Sequence, residues 1–143
     1  MVKKISFLPE FIPLIKEGTK TVTRRVKKKN TGVYYFTGGR TGKKEGYIKI
    51  LDCRKVRLVK SFFRPEMFSG SKDGMKMMVG IEVIQEGFNN LEEFIECWNK
   101  LVGKRYRFPF PVTPFDLDPE VYRIEFIYLG EDYEQDTMAR LLV

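Results

Sequence analysis

Tyr47-Ile48-Lys49-Ile50-Leu51-Asp52-Cys53-Arg54-Lys55-Val56-Arg57-Leu58-Val59-Lys60 decides the fold class. Its alternation puts Tyr47, Lys49, Leu51 and Cys53 on one face and Ile48, Ile50 and Asp52 on the other, before Val56 and Leu58 take over. A side-chain period of two over that length predicts one long strand, and the change of phase predicts a bulge. Val121 to Leu129 alternates in the same way and reads as the closing strand. Val33-Tyr34-Tyr35-Phe36, rich in aromatics after the basic turn Lys27 to Gly32, reads as another strand, and Val2 to Phe7 as an opening one. Several short strands with two clear helices imply an α+β chain with a twisted, mostly antiparallel sheet curled into a small barrel and peripheral helices.

The first helix starts at Pro9, carries Phe11, Ile12, Leu14 and Ile15 as its apolar stripe and stops at Gly18. The second starts at Asn90 with Glu93 three residues on, a variant capping box, and carries Leu91, Phe94, Ile95, Trp98 and Leu101 toward Gly103. Trp98 at that spacing is a core residue. Met75 to Ile84 is helix or strand, since periodicity does not separate the two. Residues 61–74 and the proline-rich Phe108 to Pro114 read as irregular.

With 143 residues, 43% hydrophobic and 14% aromatic, the chain is long enough for one self-supporting domain, 1–143, without disulfides or metals. Cys53 and Cys97 form no short-spaced pair and read as small buried hydrophobes. The absence of histidine removes Ser-His and Cys-His catalysis and every His-based metal cluster, leaving Lys, Glu, Asp, Tyr and Cys for acid–base work. No metal or cofactor is expected. No apolar run approaches the ~20 residues that span a bilayer, so the expectation is a soluble cytoplasmic protein with no membrane partner. Residues 1–60 hold 17 Lys and Arg against 4 Asp and Glu, a net of +13, whereas residues 61–143 hold 9 against 15, a net of −6. A basic face that attracts phosphates, RNA above all, is the expectation, against the plainer alternative of a solvated Lys-rich surface.

Gly18-Thr19-Lys20-Thr21-Val22-Thr23-Arg24-Arg25 carries more chemistry than a helix stop needs. A glycine stop frees the next N–H groups, and together with fixed cations they would hold an anion, making Gly18, Lys20, Thr21, Arg24 and Arg25 candidate phosphate ligands. The Lys20 amine, with its pKa depressed by Arg24 and Arg25, is a candidate nucleophile or base, although a lysine among threonines is more often merely solvated. In a strict strand Lys20 and Thr23 face opposite ways, so a shared site demands a turn or bulge. Glu86, ahead of Gly87 and the second helix, either interacts with that helix's N-terminus or faces Lys20 as acid, base or ion-pair partner. Tyr34, Tyr35, Phe36 and Tyr47 flank the loop bearing Arg40, Lys43 and Lys44, a mixture suited to base stacking and phosphate contact as well as to ordinary strands. The loop's glycines lack the P-loop spacing, which argues against a nucleotide triphosphatase.

Gly18-x-Lys20-Thr21-x-Thr23-x-Arg25, Glu86-Gly87-Phe88 with Leu91 to Phe94 and Trp98, and Tyr122 to Phe126 occur in the order that resembles the ASCH domain, a relative of PUA RNA-binding barrels. The resemblance implies a PUA-like β-barrel and an association with RNA. Some members act as ribonucleases, and a small bacterial branch hydrolyses N4-acylated cytidines with a Lys, a Thr and a Glu. Those positions match Lys20, Thr23 and Glu86, with Thr23 as nucleophile, Lys20 activating it and Glu86 handling protons at the leaving amine. Basic insertions at 27–46 and 61–80 and the C-terminal tail depart from that compact branch and favour a larger, phosphate-bearing ligand. The expectation is RNA or nucleotide binding in a basic cleft; the alternatives are an N4-acylcytidine amidohydrolase, a metal-independent ribonuclease and a structural adaptor.

Overall fold

The alternating stretch forms strand β4, Lys44–Arg57, in the computed structural model of the protein, which describes residues 2–62, 80–108 and 118–133. Expectations for 63–79, 109–117 and the tail from 134 lie outside the described residues. Strand β4 is central: β5 (Glu120–Gly130) runs antiparallel along one side and β3 (Gly32–Gly38) along the other. Outside β3 lies β1 (Lys3–Phe7), the one parallel pairing, and outside β5 lies the four-residue β2 (Val22–Arg25). The order β1-β3-β4-β5-β2 makes a curled mixed sheet, a half-barrel whose edges β1 and β2 do not pair.

The predicted bulge has a local cause. Ile50 pairs with Phe126 and Asp52 with Glu125, leaving Leu51 as the extra, exposed residue. That slip moves Cys53 onto the face of Ile48 and Ile50, so it packs against their core instead of sharing a face with Lys49. Both cysteines are half-buried rather than fully enclosed.

The first core lies in the curl of the sheet around Ile5, Phe7, Phe36, Ile48, Ile124 and Phe126. One end is covered by a 3-10 turn, Pro9–Phe11, running into helix α1, Ile12–Lys16, whose Ile15 is fully buried. The second core joins Leu58, Phe62 and Val121 to helix α2, whose described residues are 80–86, and to helix α3, Leu91–Leu101. The ambiguous segment is therefore helical over its described part. Asn90 caps α3 through Glu93 N (2.9 Å), while the Glu93 carboxylate accepts from Asn89 N (3.2 Å), one residue earlier than a standard capping box. Trp98 is buried, stacked on Phe94 at 5.8 Å, and donates Nε1 to Tyr106 O at 2.8 Å. Among the described residues no helix is long and apolar enough to cross a membrane.

Candidate functional site

Two helix ends build the site. At the end of α1, Gly18 takes φ 83° and the chain closes in a Schellman cap, Gly18 N to Ile15 O (3.2 Å) and Thr19 N to Leu14 O (2.9 Å). At the end of α2, Gly87 takes φ 98° in the same motif, Gly87 N to Ile84 O (2.9 Å) and Phe88 N to Val83 O (3.0 Å). The caps meet through Thr21 N to Gln85 O (2.9 Å), which sets Lys20 beside Glu86. A Cβ on Gly87 would lie 3.0 Å from the Phe11 ring and 3.2 Å from Lys20 Cδ, so the approach requires glycine.

This geometry corrects the anion seat expected after Gly18. The N–H groups of Thr19 and Lys20 both bond Leu14 O, and that of Thr21 bonds Gln85 O, so no backbone donor there is free. Gly18 shapes the turn, and Thr21 ties α2 to β5 by accepting from Phe126 N (2.9 Å).

Lys20, Thr23, Arg24, Arg25, Arg40 and Glu86 line one cleft of about 340 Å³, with aromatic walls from Phe7, Phe11, Phe88 and Trp98. The conflict of strand faces dissolves for two reasons. Lys20 precedes β2, and β2 is a sheet edge, around which side chains from both faces reach the same opening. Lys43 and Lys44 instead border a smaller depression with Lys16, Glu45 and Glu131. Of the flanking aromatics, Tyr34, Phe36 and Tyr47 are buried, because the strand that carries them faces the core, and they offer no stacking surface. Only Tyr35 is half-buried, with Lys44 Nζ 5.3 Å from its ring centre.

The Lys20 amine is 2% exposed and is met by Val22 O (2.7 Å), by Glu86 O, and by Glu86 Oε1 at 3.7 Å. Two carbonyls accept hydrogen bonds from the ammonium, the C-terminal carbonyl of α2 among them, and the Glu86 carboxylate adds an ion pair. Burial lowers its pKa to about 8, with Glu86 opposing and Arg25 and Arg24 adding to the fall. The Thr23 hydroxyl has one partner, Arg25 Nε at 3.4 Å, and no hydrogen bond joins it to Lys20.

Glu86 does not turn to the N-terminus of α3. Its Oε2 accepts Arg24 Nη1 at 2.6 Å, and Arg24 continues through Nη2 to Glu82 (2.6 Å) and Nε to Ser61 Oγ (3.1 Å), with its guanidinium 3.9 Å from the Phe62 ring centre. Glu82 also binds Arg123 Nε at 2.6 Å. Arg24 is thus committed to carboxylates and holds Glu86 in place. Sequence reading missed Glu82, Ser61 and Arg123; the signal for Glu82 was its spacing of four from Glu86, which puts both carboxylates on one helix face.

Arg25 differs from its neighbour. Its Nη2 donates to Ser6 O (2.6 Å), spanning the gap between β2 and β1, and its guanidinium sits 5.0 Å from the Phe7 ring centre. Among the described residues it makes no ion pair; burial lowers its pKa, and the charge of Glu86 offsets this only in part. The cleft lining carries four cations, Lys20, Arg24, Arg25 and Arg40, against one carboxylate, Glu86. Among the described residues no group of three or more Cys, Asp and Glu is placed to hold a metal. Comparison with known proteins yields no matching family model, no similar curated protein and no similar solved structure, so function is argued from the cleft itself.

Proposed function

We propose that the cleft binds a nucleotide of RNA, with the base against the half-buried rings of Phe11 and Phe88 and the phosphate at Arg25 and Arg40. One observation carries this reading: Arg25 is a partly buried guanidinium that lines the cleft with no carboxylate ion-paired to it among the described residues. An uncompensated buried charge is costly, and a ligand anion is its natural complement. The volume suits one nucleoside, and base–aromatic stacking is worth ~1–3 kcal/mol. The resemblance of Gly18 to Arg25 and Glu86 to Trp98 to the ASCH signature, with its PUA-like barrel, supports the same reading.

Trp98 is the only tryptophan and lines the cleft, so its fluorescence reports occupancy. Cytidine 5′-monophosphate or single-stranded RNA should quench it, and Arg25→Ala should weaken binding about tenfold, with Arg25→Lys intermediate. Unchanged affinity in Arg25→Ala would remove the phosphate from that position.

A second reading rests on the convergence of Lys20, Thr23 and Glu86 on the cleft, with an amine whose pKa is about 8. In it the site hydrolyses the amide of an N4-acylcytidine: Thr23 Oγ1 attacks the acyl carbon as the neutral Lys20 amine takes its proton, the C–N bond breaks with that proton passing to the departing N4, and water then cleaves the Thr23 ester to release the acid. Incubation with N4-acetylcytidine should release cytidine, with a rate rising through pH 8 as the amine deprotonates. No release, or release that persists in Lys20→Ala and Thr23→Ala, would end this reading.

A further inference from the structure

Val26, the residue after β2, lines the cleft on one side and a second depression of about 510 Å³ on the other. The walls of that second depression include Lys55, Arg57, Arg105, Tyr106 and Tyr122. We propose that it holds the nucleotide adjacent to the one in the cleft, so that the ligand is single-stranded RNA rather than a free nucleotide. The proposal rests on the reading of the cleft given above.

Three observations support the second subsite. It adjoins the first, with Val26 as the lining residue common to both. Its free charge is positive. Both Asp118 carboxylate oxygens are held by backbone N–H groups, Val59 at 2.7 Å and Lys60 at 3.0 Å, which turns them toward the chain while leaving their charge in the count. Glu120 is shared between Lys55 (3.3 Å) and Arg57 (3.4 Å), both half-exposed, while Arg105 lies 5.7 Å from the Tyr106 ring centre and makes no ion pair among the described residues. Three cations therefore face two carboxylates, an excess of one. Finally, Tyr106 and Tyr122 are half-buried, and neither phenol hydroxyl has a partner among the described residues. Rings beside cations in excess of the local carboxylates are the means by which single strands are held. The depression at Lys16, Lys43 and Lys44 has a like excess of one cation, but no aromatic ring lines it and it shares no lining residue with the cleft.

Calorimetric titration with cytidine 5′-monophosphate and with pentacytidylate separates the possibilities. Pentacytidylate should bind about tenfold tighter or more. In the double variant Lys55→Ala/Arg105→Ala, both sites being exposed, that advantage should shrink to about twofold, while the monophosphate affinity and the melting temperature stay unchanged. An oligonucleotide that binds no tighter than the monophosphate, or a double variant that weakens both ligands equally, overturns the second subsite and leaves the cleft reading standing. Binding of neither ligand overturns both.

Discussion

Glu82 shows how a buried side chain without ligand contact can govern the site. Burial alone would raise its carboxyl, but the hydrogen bonds from Arg123 and the charges of Arg24 and Arg123 outweigh that and hold it at about 2. A carboxyl depressed from about 4.5 contributes stability present above the unfolded value and lost as pH falls through the folded one. The window is therefore roughly pH 4.5 down to 2, and the amount is about 3 kcal/mol. Glu82→Gln leaves Arg24 and Arg123 short of an anion and should cost about 3 kcal/mol at pH 6, in the range for breaking a buried pair. In urea unfolding the gap between wild type and variant should close as pH drops toward 2. A gap that ignores pH would mean that Glu82 stabilises by packing, not charge. Lys20 and Glu86 were legible as residues because their motifs stand out, whereas Glu82 and Arg123 matter only through contacts made across the fold.

At the scale of elements, what could be read was long and regular. The strands β4 and β5 and helix α3 each repeat their pattern several times, so packing has no reason to override it. Helix α2 inverts the usual pattern. Its carboxylates Glu82 and Glu86 are buried while Ile81 and Ile84 are exposed, so hydrophobic periodicity points the wrong way. Strand β2 was equally hard to place, being four residues long with a buried arginine at its third position. The junction after α2 supplies a direct test. Gly87→Ala places a methyl against Phe11 and Lys20 at a positive φ, which should cost about 1–3 kcal/mol and displace the Lys20 amine. The melting temperature should fall by several degrees, and ligand affinity should drop even at temperatures where the variant is fully folded. Full affinity in folded Gly87→Ala would show that the approach of α2 to Lys20 is not needed for binding.

Across the whole molecule the sequence's charge split takes on another meaning. Part of the basic first half is paired with the acidic second half: Lys16 with Glu131, Lys20 and Arg24 with Glu86, Arg54 with Glu125, Lys55 and Arg57 with Glu120. The asymmetry that suggested a basic face thus serves in part to bring the halves together, while four carboxylates leave most of the surplus in place. Some of that surplus is grouped. Arg25, Arg40, Lys3, Lys27 and Lys29 make no ion pair among the described residues. Burial and the nearby charges of Arg25, Lys27 and Lys3 lower the pKa of Lys29, which marks a cluster of cations that includes the cleft residue Arg25. If Arg25, Arg40 and Lys29 each meet one phosphate, the logarithm of RNA affinity should fall with the logarithm of salt at a slope of about −2, the single-strand value for three contacts. Raising salt from about 50 to 200 mM would then weaken binding about twentyfold. Lys29→Ala should flatten the slope by about 0.7 while leaving Trp98 quenched at saturation, because it removes a phosphate contact and not the base pocket. A slope near zero would mean that the cluster's surplus charge does not meet a phosphate, and the aromatic cleft would then have to hold its ligand without it.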